Sequence, residues 1–144
     1  MKNKLDIARQ KMIDGSYTCF LFLGEKEYFS HDRGVKPLLS LLDSGESFDG
    51  FFAADKVVGQ GAAHLYVLLG VKALWADVIS EGAKQILTNN GVYVEYRECV
   101  PYVINRKKDG MCPIESAVFG IASPYEAHEI ILKTLHALAE SARS

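Results

Sequence analysis

Asp55 and Lys56 stand side by side after the apolar residues FFAA and before a long apolar run from Val57 to Leu69. Read as a strand that ends in the pair and a helix that opens with it, this puts a carboxylate and an ammonium at a helix N-terminus, where open α/β sheets place ligands. The two groups can orient a ribose or a phosphate. The plainer reading is that Asp55 caps the helix and Lys56 is solvated. Gly59 and Gly61 fall within the same apolar run, where each costs about 1 kcal/mol relative to Ala, so they mark close helix packing or close approach of a ligand. The segment GQGAA lacks the Lys-Ser/Thr of a phosphate loop.

Ser80 opens a second helix, and the free amides of a capped first turn make an anion site. Further along, Cys112 precedes Pro113, with Glu115 in the first turn of a short helix and Arg106, Lys107 and Lys108 just upstream. That environment favours a thiolate. A nucleophilic role also needs a base, and none of the histidines is placed by spacing to act as one. Asn105 and Arg106 are better suited to binding: a guanidinium is a planar fork for phosphate, and a carboxamide can read a base edge. The expected ligand-binding set is therefore Asp55, Lys56, Gly59, Ser80, Asn105, Arg106 and Glu115, with Cys112 the one catalytic candidate. His64 lies among apolar residues and reads as core, and His31, His128 and His136 share no metal-ligand spacing, so neither a metal nor a cofactor is expected. Trp75, in ALWAD, reads most simply as core.

The elements that must position these groups follow from periodicity. Leu5, Ala8, Met12 and Ile13 share one helical face, giving a helix over Asn3–Asp14. Tyr17–Leu23 and Glu27–Ser30 form a hairpin through Gly24-Glu25-Lys26, the first strand apolar on both faces. Val35, Leu38, Leu39 and Leu42 repeat at helical spacing, with Pro37 in the first turn. Val92–Cys99 reads as a half-buried strand broken by Pro101, and Tyr102-Val103-Ile104 as a short extended piece. Ser123, Pro124 and Glu126 make a capping box for a last helix to about residue 141, with Ala127, Ile130, Ile131, Leu135 and Leu138 on its apolar face. Strands alternating with helices imply parallel pairing with helices on both faces, and the early hairpin adds an antiparallel pair. The expected fold is a three-layer α/β/α sandwich with a mixed sheet, one domain over residues 1–144.

The 144 residues are 49% hydrophobic and 24% charged, with a formal net charge of −2. This near-neutral balance argues against a nucleic-acid footprint, which needs a clustered basic surface. No apolar run approaches the roughly 20 residues that span a bilayer, the N-terminus lacks a signal-peptide pattern, and three unspaced cysteines suit a reducing compartment. No membrane partner and a cytoplasmic location are expected.

The segments ADKVVGQGAAHL (Ala54–Leu65), ADVIS (Ala76–Ser80) and VPYVINRKKDGMCPIE (Val100–Glu115) resemble an uncharacterised bacterial family, domain of unknown function 1893, over about residues 17–121. The resemblance implies a cytidine-deaminase-like fold. Zinc deaminases carry His-x-Glu or Cys-x-Glu at one helix start and Pro-Cys-x-x-Cys at the next. Here the segment Asp55–Gly59 holds neither His nor Cys, and matching Gly91 to the glycine that ends the second helix puts the two cysteine positions on Ser80 and Ala83. The resemblance thus implies the scaffold without zinc deamination. Three functions follow as expectations: a zinc-free binder of a nucleotide or nucleotide-derived molecule; an enzyme or covalently regulated protein built on Cys112; or a non-catalytic interaction module, homodimeric through Tyr93 and Tyr96.

Overall fold

The computed structural model describes residues 2–104 and 111–143. Its order is α1 (Lys2–Asp14), β1 (Cys19–Leu23), β2 (Lys26–Ser30), α2 (Lys36–Asp43), β3 (Phe52–Val58), α3 (Gln60–Leu69), β4 (Ala73–Ser80), α4 (Glu81–Asn89), β5 (Tyr93–Val100), α5 (Pro113–Val118) and α6 (Pro124–Arg143). The sheet runs β2-β1-β3-β4-β5. β1 pairs antiparallel with both β2 and β3, whereas β3, β4 and β5 are parallel, so the mixed sheet expected from the hairpin and the helix-strand alternation is present.

Side chains alternate across the sheet and build a core on each face. On one face α1 lays Leu5, Ala8 and Met12 over Phe20, Phe22, Phe52, Ala54, Ala73 and Trp75. On the other, Leu21, Ala53, Leu74 and Ala76 meet α3 and α4, and α2, α5 and α6 close over these as an outer layer. The central helix α3 is apolar nearly all round because it is covered nearly all round: Ala62, Ala63, Leu65, Tyr66 and Leu69 are all buried. It stops at Gly70, whose φ of 83° is the left-handed cap that returns the chain to β4 through a Val71 N–H bond to the Tyr66 carbonyl.

The structure departs from the periodicity reading at several points. β3 does not end at Asp55-Lys56 but runs on to Val58, because β4 continues to pair with it through Val57↔Val78 and Val58↔Ile79. The apolar run is therefore part strand and part helix, a division that short apolar stretches do not reveal. Leu138, assigned to the buried face of α6, is exposed, since the last turns of that helix project past the core. Of the extended piece after Pro101, the structure keeps an isolated antiparallel bridge between Ile104 and Met111. Among the described residues no helix is long and apolar enough to cross a membrane.

Candidate functional site

The N-terminus of α3 shows why this sequence needs its glycines. Gly59 is the N-cap in extended conformation and offers no side-chain cap. The cap comes instead from α5: the buried Glu115 carboxylate accepts the Gln60 amide through Oε1 at 2.6 Å and the Gly61 amide through Oε2 at 2.8 Å. Two charge-assisted bonds and the positive end of the helix dipole hold this carboxylate. A Cβ on Gly59 would run into that carboxylate, and one on Gly61 would come within 2.9 Å of Ile114 Cγ2. Both glycines thus admit α5. The helix terminus that would hold a ligand anion holds the chain's own acid, so Glu115 is a structural cap at this position.

Asp55 and Lys56 do not open a helix. Asp55 lies inside β3 opposite Cys19, on the α3 face, buried; its Oδ2 accepts the Tyr66 hydroxyl at 2.6 Å and its Oδ1 the Val57 amide at 3.2 Å. Burial pushes the carboxyl up to about 7, against the opposing pull of the Tyr66 and backbone hydrogen bonds. Burial likewise raises the Tyr66 hydroxyl and the Cys19 thiol, each further raised by the Asp55 charge. The three groups form a polar cluster inside the core rather than a surface site. The neighbouring Lys56 side chain is exposed, so the sheet sends the two members of the expected pair in opposite directions.

Ser80 performs the capping expected of it: its Oγ accepts the Ala83 amide at 3.1 Å at the start of α4. The termini of α3 and α4 adjoin through Gln60, whose side chain packs on Gly82 and whose Oε1 accepts the Gly120 amide at 3.3 Å. Cys112 is the N-cap of α5, partly buried, and makes no side-chain cap hydrogen bond. Asn105 and Arg106 lie outside the described residues. His64 is wholly buried and joins Ile121 carbonyl oxygen through Nε2 at 3.0 Å; burial lowers its pKa, so the neutral ring donates from Nε2.

These termini do not fit a zinc ion. Gln60, Ser80 and Ala83 present no thiolate or imidazole, and Glu115 is already held by two amides. Among the described residues no three His, Cys, Asp or Glu side chains assemble as a metal set.

Beside the same termini lies a cleft of about 640 Å³ that the sequence reading missed. One wall is α4, where Glu81, Gln85 and Asn89 recur every four residues and so share a face. Gln60 and Gly82 also line the cleft. Tyr102, after β5, and Phe119, after α5, form an aromatic part of the lining, with ring centroids 6.0 Å apart and both rings about half exposed. Of all the signals for this cleft, only the polar i, i+4, i+8 row on α4 is local enough to read from sequence. The aromatic wall joins residues 17 apart in the chain, one on each side of the segment 105–110.

The family described as a domain of unknown function (DUF1893) matches residues 7–135. A crystal structure of a DUF1893 family protein (TM1506) from Thermotoga maritima superposes with a TM-score of 0.85 at 28% identity, covering 92% of this chain and 90% of that one. No curated protein matches the chain. With nearly the whole chain matched in both sequence and fold, the protein belongs to the DUF1893 family.

Proposed function

We propose that the cleft beside the α3 and α4 termini binds a nucleobase-bearing small molecule, a nucleoside or nucleotide, without zinc, on a deaminase-like scaffold. The observation that carries this reading is that two half-exposed aromatic rings, Tyr102 and Phe119, line the same cleft as the carboxamides Gln85 and Asn89. Aromatic faces stack on a base, and carboxamides satisfy donor and acceptor together on a base edge. The volume is in the range of small-molecule sites. Glu81 at the α4 wall accepts ribose hydroxyls in the way an acidic residue does in dinucleotide sites. Asn105 and Arg106, which follow Tyr102 by three and four residues in the chain, stay in the proposal as sugar and phosphate contacts. Ser80 enters as the cap that fixes α4, and Glu115 as the cap that fixes α3, each holding a wall of the cleft.

The test is a thermal-shift series with bases, nucleosides and mononucleotides, followed by calorimetry on the best of them. A ligand at about 100 times its dissociation constant adds roughly 2.7 kcal/mol of stability. Tyr102→Ala and Asn89→Ala, both surface changes, are expected to abolish the shift while leaving the unliganded melting temperature within a few degrees. No shift with any member of the series, or a shift that survives both substitutions, would remove the reading.

A further inference from the structure

We infer that β5 is a self-complementary edge through which two copies of this chain pair antiparallel, joining their sheets across a two-fold axis at Tyr96. Among the described residues β5 has one strand neighbour, β4, and no described strand pairs with its outer row of backbone donors and acceptors. The strand is eight residues long and half open to solvent, with Tyr93 and Tyr96 both exposed. The register with β4 sets Glu95 beside Trp75 and Tyr96 beside Ala76. Tyr93, Glu95 and Arg97 therefore stand on the α1 face, beyond the reach of α1 itself, where Arg97 bonds Asp77 at 2.6 Å. Tyr96 stands on the other face, under Lys84 of α4.

Symmetry restricts how a second copy can add to this edge. A two-fold axis that joins two antiparallel edges lies normal to the sheet and keeps its faces apart, so residues of like parity oppose one another and the axis passes through a residue. With the axis at Glu95, at Arg97 or at Glu98, that charged residue meets its own copy, which is destabilising across a strand pair. With the axis at Tyr96, Glu95 opposes Arg97 of the second copy, and Arg97 opposes Glu95 of the second copy. Tyr96 then meets Tyr96, Tyr93 meets Cys99, and Val94 meets Glu98. Along this edge the axis at Tyr96 is the symmetric register that sets unlike charges opposite one another, so the charges that deter indiscriminate association of a bare edge favour it. The second copy extends the sheet from five strands to ten.

Sedimentation equilibrium of the full chain across the micromolar range tests this, independently of any ligand. The wild type is expected to dimerise. Glu95→Arg and Arg97→Glu, each turning two attractive pairs into two repulsive ones, are each expected to weaken the dimer about tenfold or more. The double substitution restores the pairs and is expected to recover dimerisation, which an unfolding effect would not. A second measurement fixes the register: in a Cys99→Ser background, Tyr96→Cys should cross-link to its copy under mild oxidation, since opposed Cβ atoms lie within disulfide range. Tyr93→Cys, whose copy lies six residues further along, should not. A wild-type monomer, single charge reversals without effect, a double reversal that fails to recover, or equal cross-linking at both positions would each overturn the inference.

Discussion

Asp55 is the residue whose environment departs furthest from its residue type, and its consequence is a stability that depends on pH. Its carboxyl is raised to about 7 in the folded chain by burial, against 3.8 for an unperturbed Asp. Between those values the folded chain holds a proton that the unfolded chain has lost. Stability from this group is thus fully present below about pH 4 and is lost as pH rises towards 7. Asparagine mimics the protonated form: its amide donates to the Tyr66 hydroxyl and its oxygen accepts the Val57 amide. In urea titrations at a series of pH values, Asp55→Asn should be little different from wild type near pH 4. It should gain on wild type by up to about 4 kcal/mol by pH 7.5. Parallel stability curves for the two proteins would refute the buried-acid account. That Asp55 mattered was legible from its place in an apolar strand. That it points inwards was not, because its direction depends on the exact residue at which β3 becomes α3, and the run DKVVGQG supports either division.

At the scale of elements, the junction of α3 with α5 is a steric and electrostatic fit between Gly59 and Glu115. Adding a methyl group at Gly59 drives it into the Glu115 carboxylate, and overpacking of this kind costs about 1–3 kcal/mol. Glu115→Ala leaves the Gln60 and Gly61 amides without a partner, with a cost of similar size. The two costs should not add. With the carboxylate gone, the Gly59→Ala methyl group has space, so a double-mutant cycle on chemical denaturation should show a favourable coupling of about 1–2 kcal/mol. Additive costs would mean that α5 shifts away instead of meeting Gly59. Here the sequence was only half legible. Ser80 could be assigned as a cap because its partner, Ala83, is three residues away. Glu115 and Gln60 could be noticed but not understood, because their partners lie 54 to 60 residues distant. The same distance hid the cleft: Tyr102 and Phe119 become one wall only after β5, α5 and α6 are assembled.

For the whole molecule, one sheet serves two cores, and the alternation that fixed this was present in the sequence from the start. Leu21 and Phe22, Ala53 and Ala54, and Leu74 and Trp75 are neighbours in the chain that face opposite cores. Neither core can come apart without exposing the strands that build the other, so the chain should unfold as one unit. The single tryptophan makes this testable. Trp75 is nearly buried on the α1 face, with the Arg9 guanidinium 5.6 Å from its ring, whereas most of the helical signal comes from the opposite face. Thermal unfolding followed by Trp75 emission and by far-ultraviolet circular dichroism should therefore give one midpoint. Leu5→Ala, which empties a fully buried position under α1 at a cost of about 2–5 kcal/mol, should lower both midpoints together. The opposing case is definite: α1 is the only helix on its face among the described residues, and if it detached first, Trp75 emission would shift to the red while most of the dichroism remained. Leu5→Ala would then widen the gap between the two transitions. Coincident transitions in both proteins would instead show that a single helix is enough to bind its face of the sheet into the cooperative unit, because the strands beneath it are held from the other side.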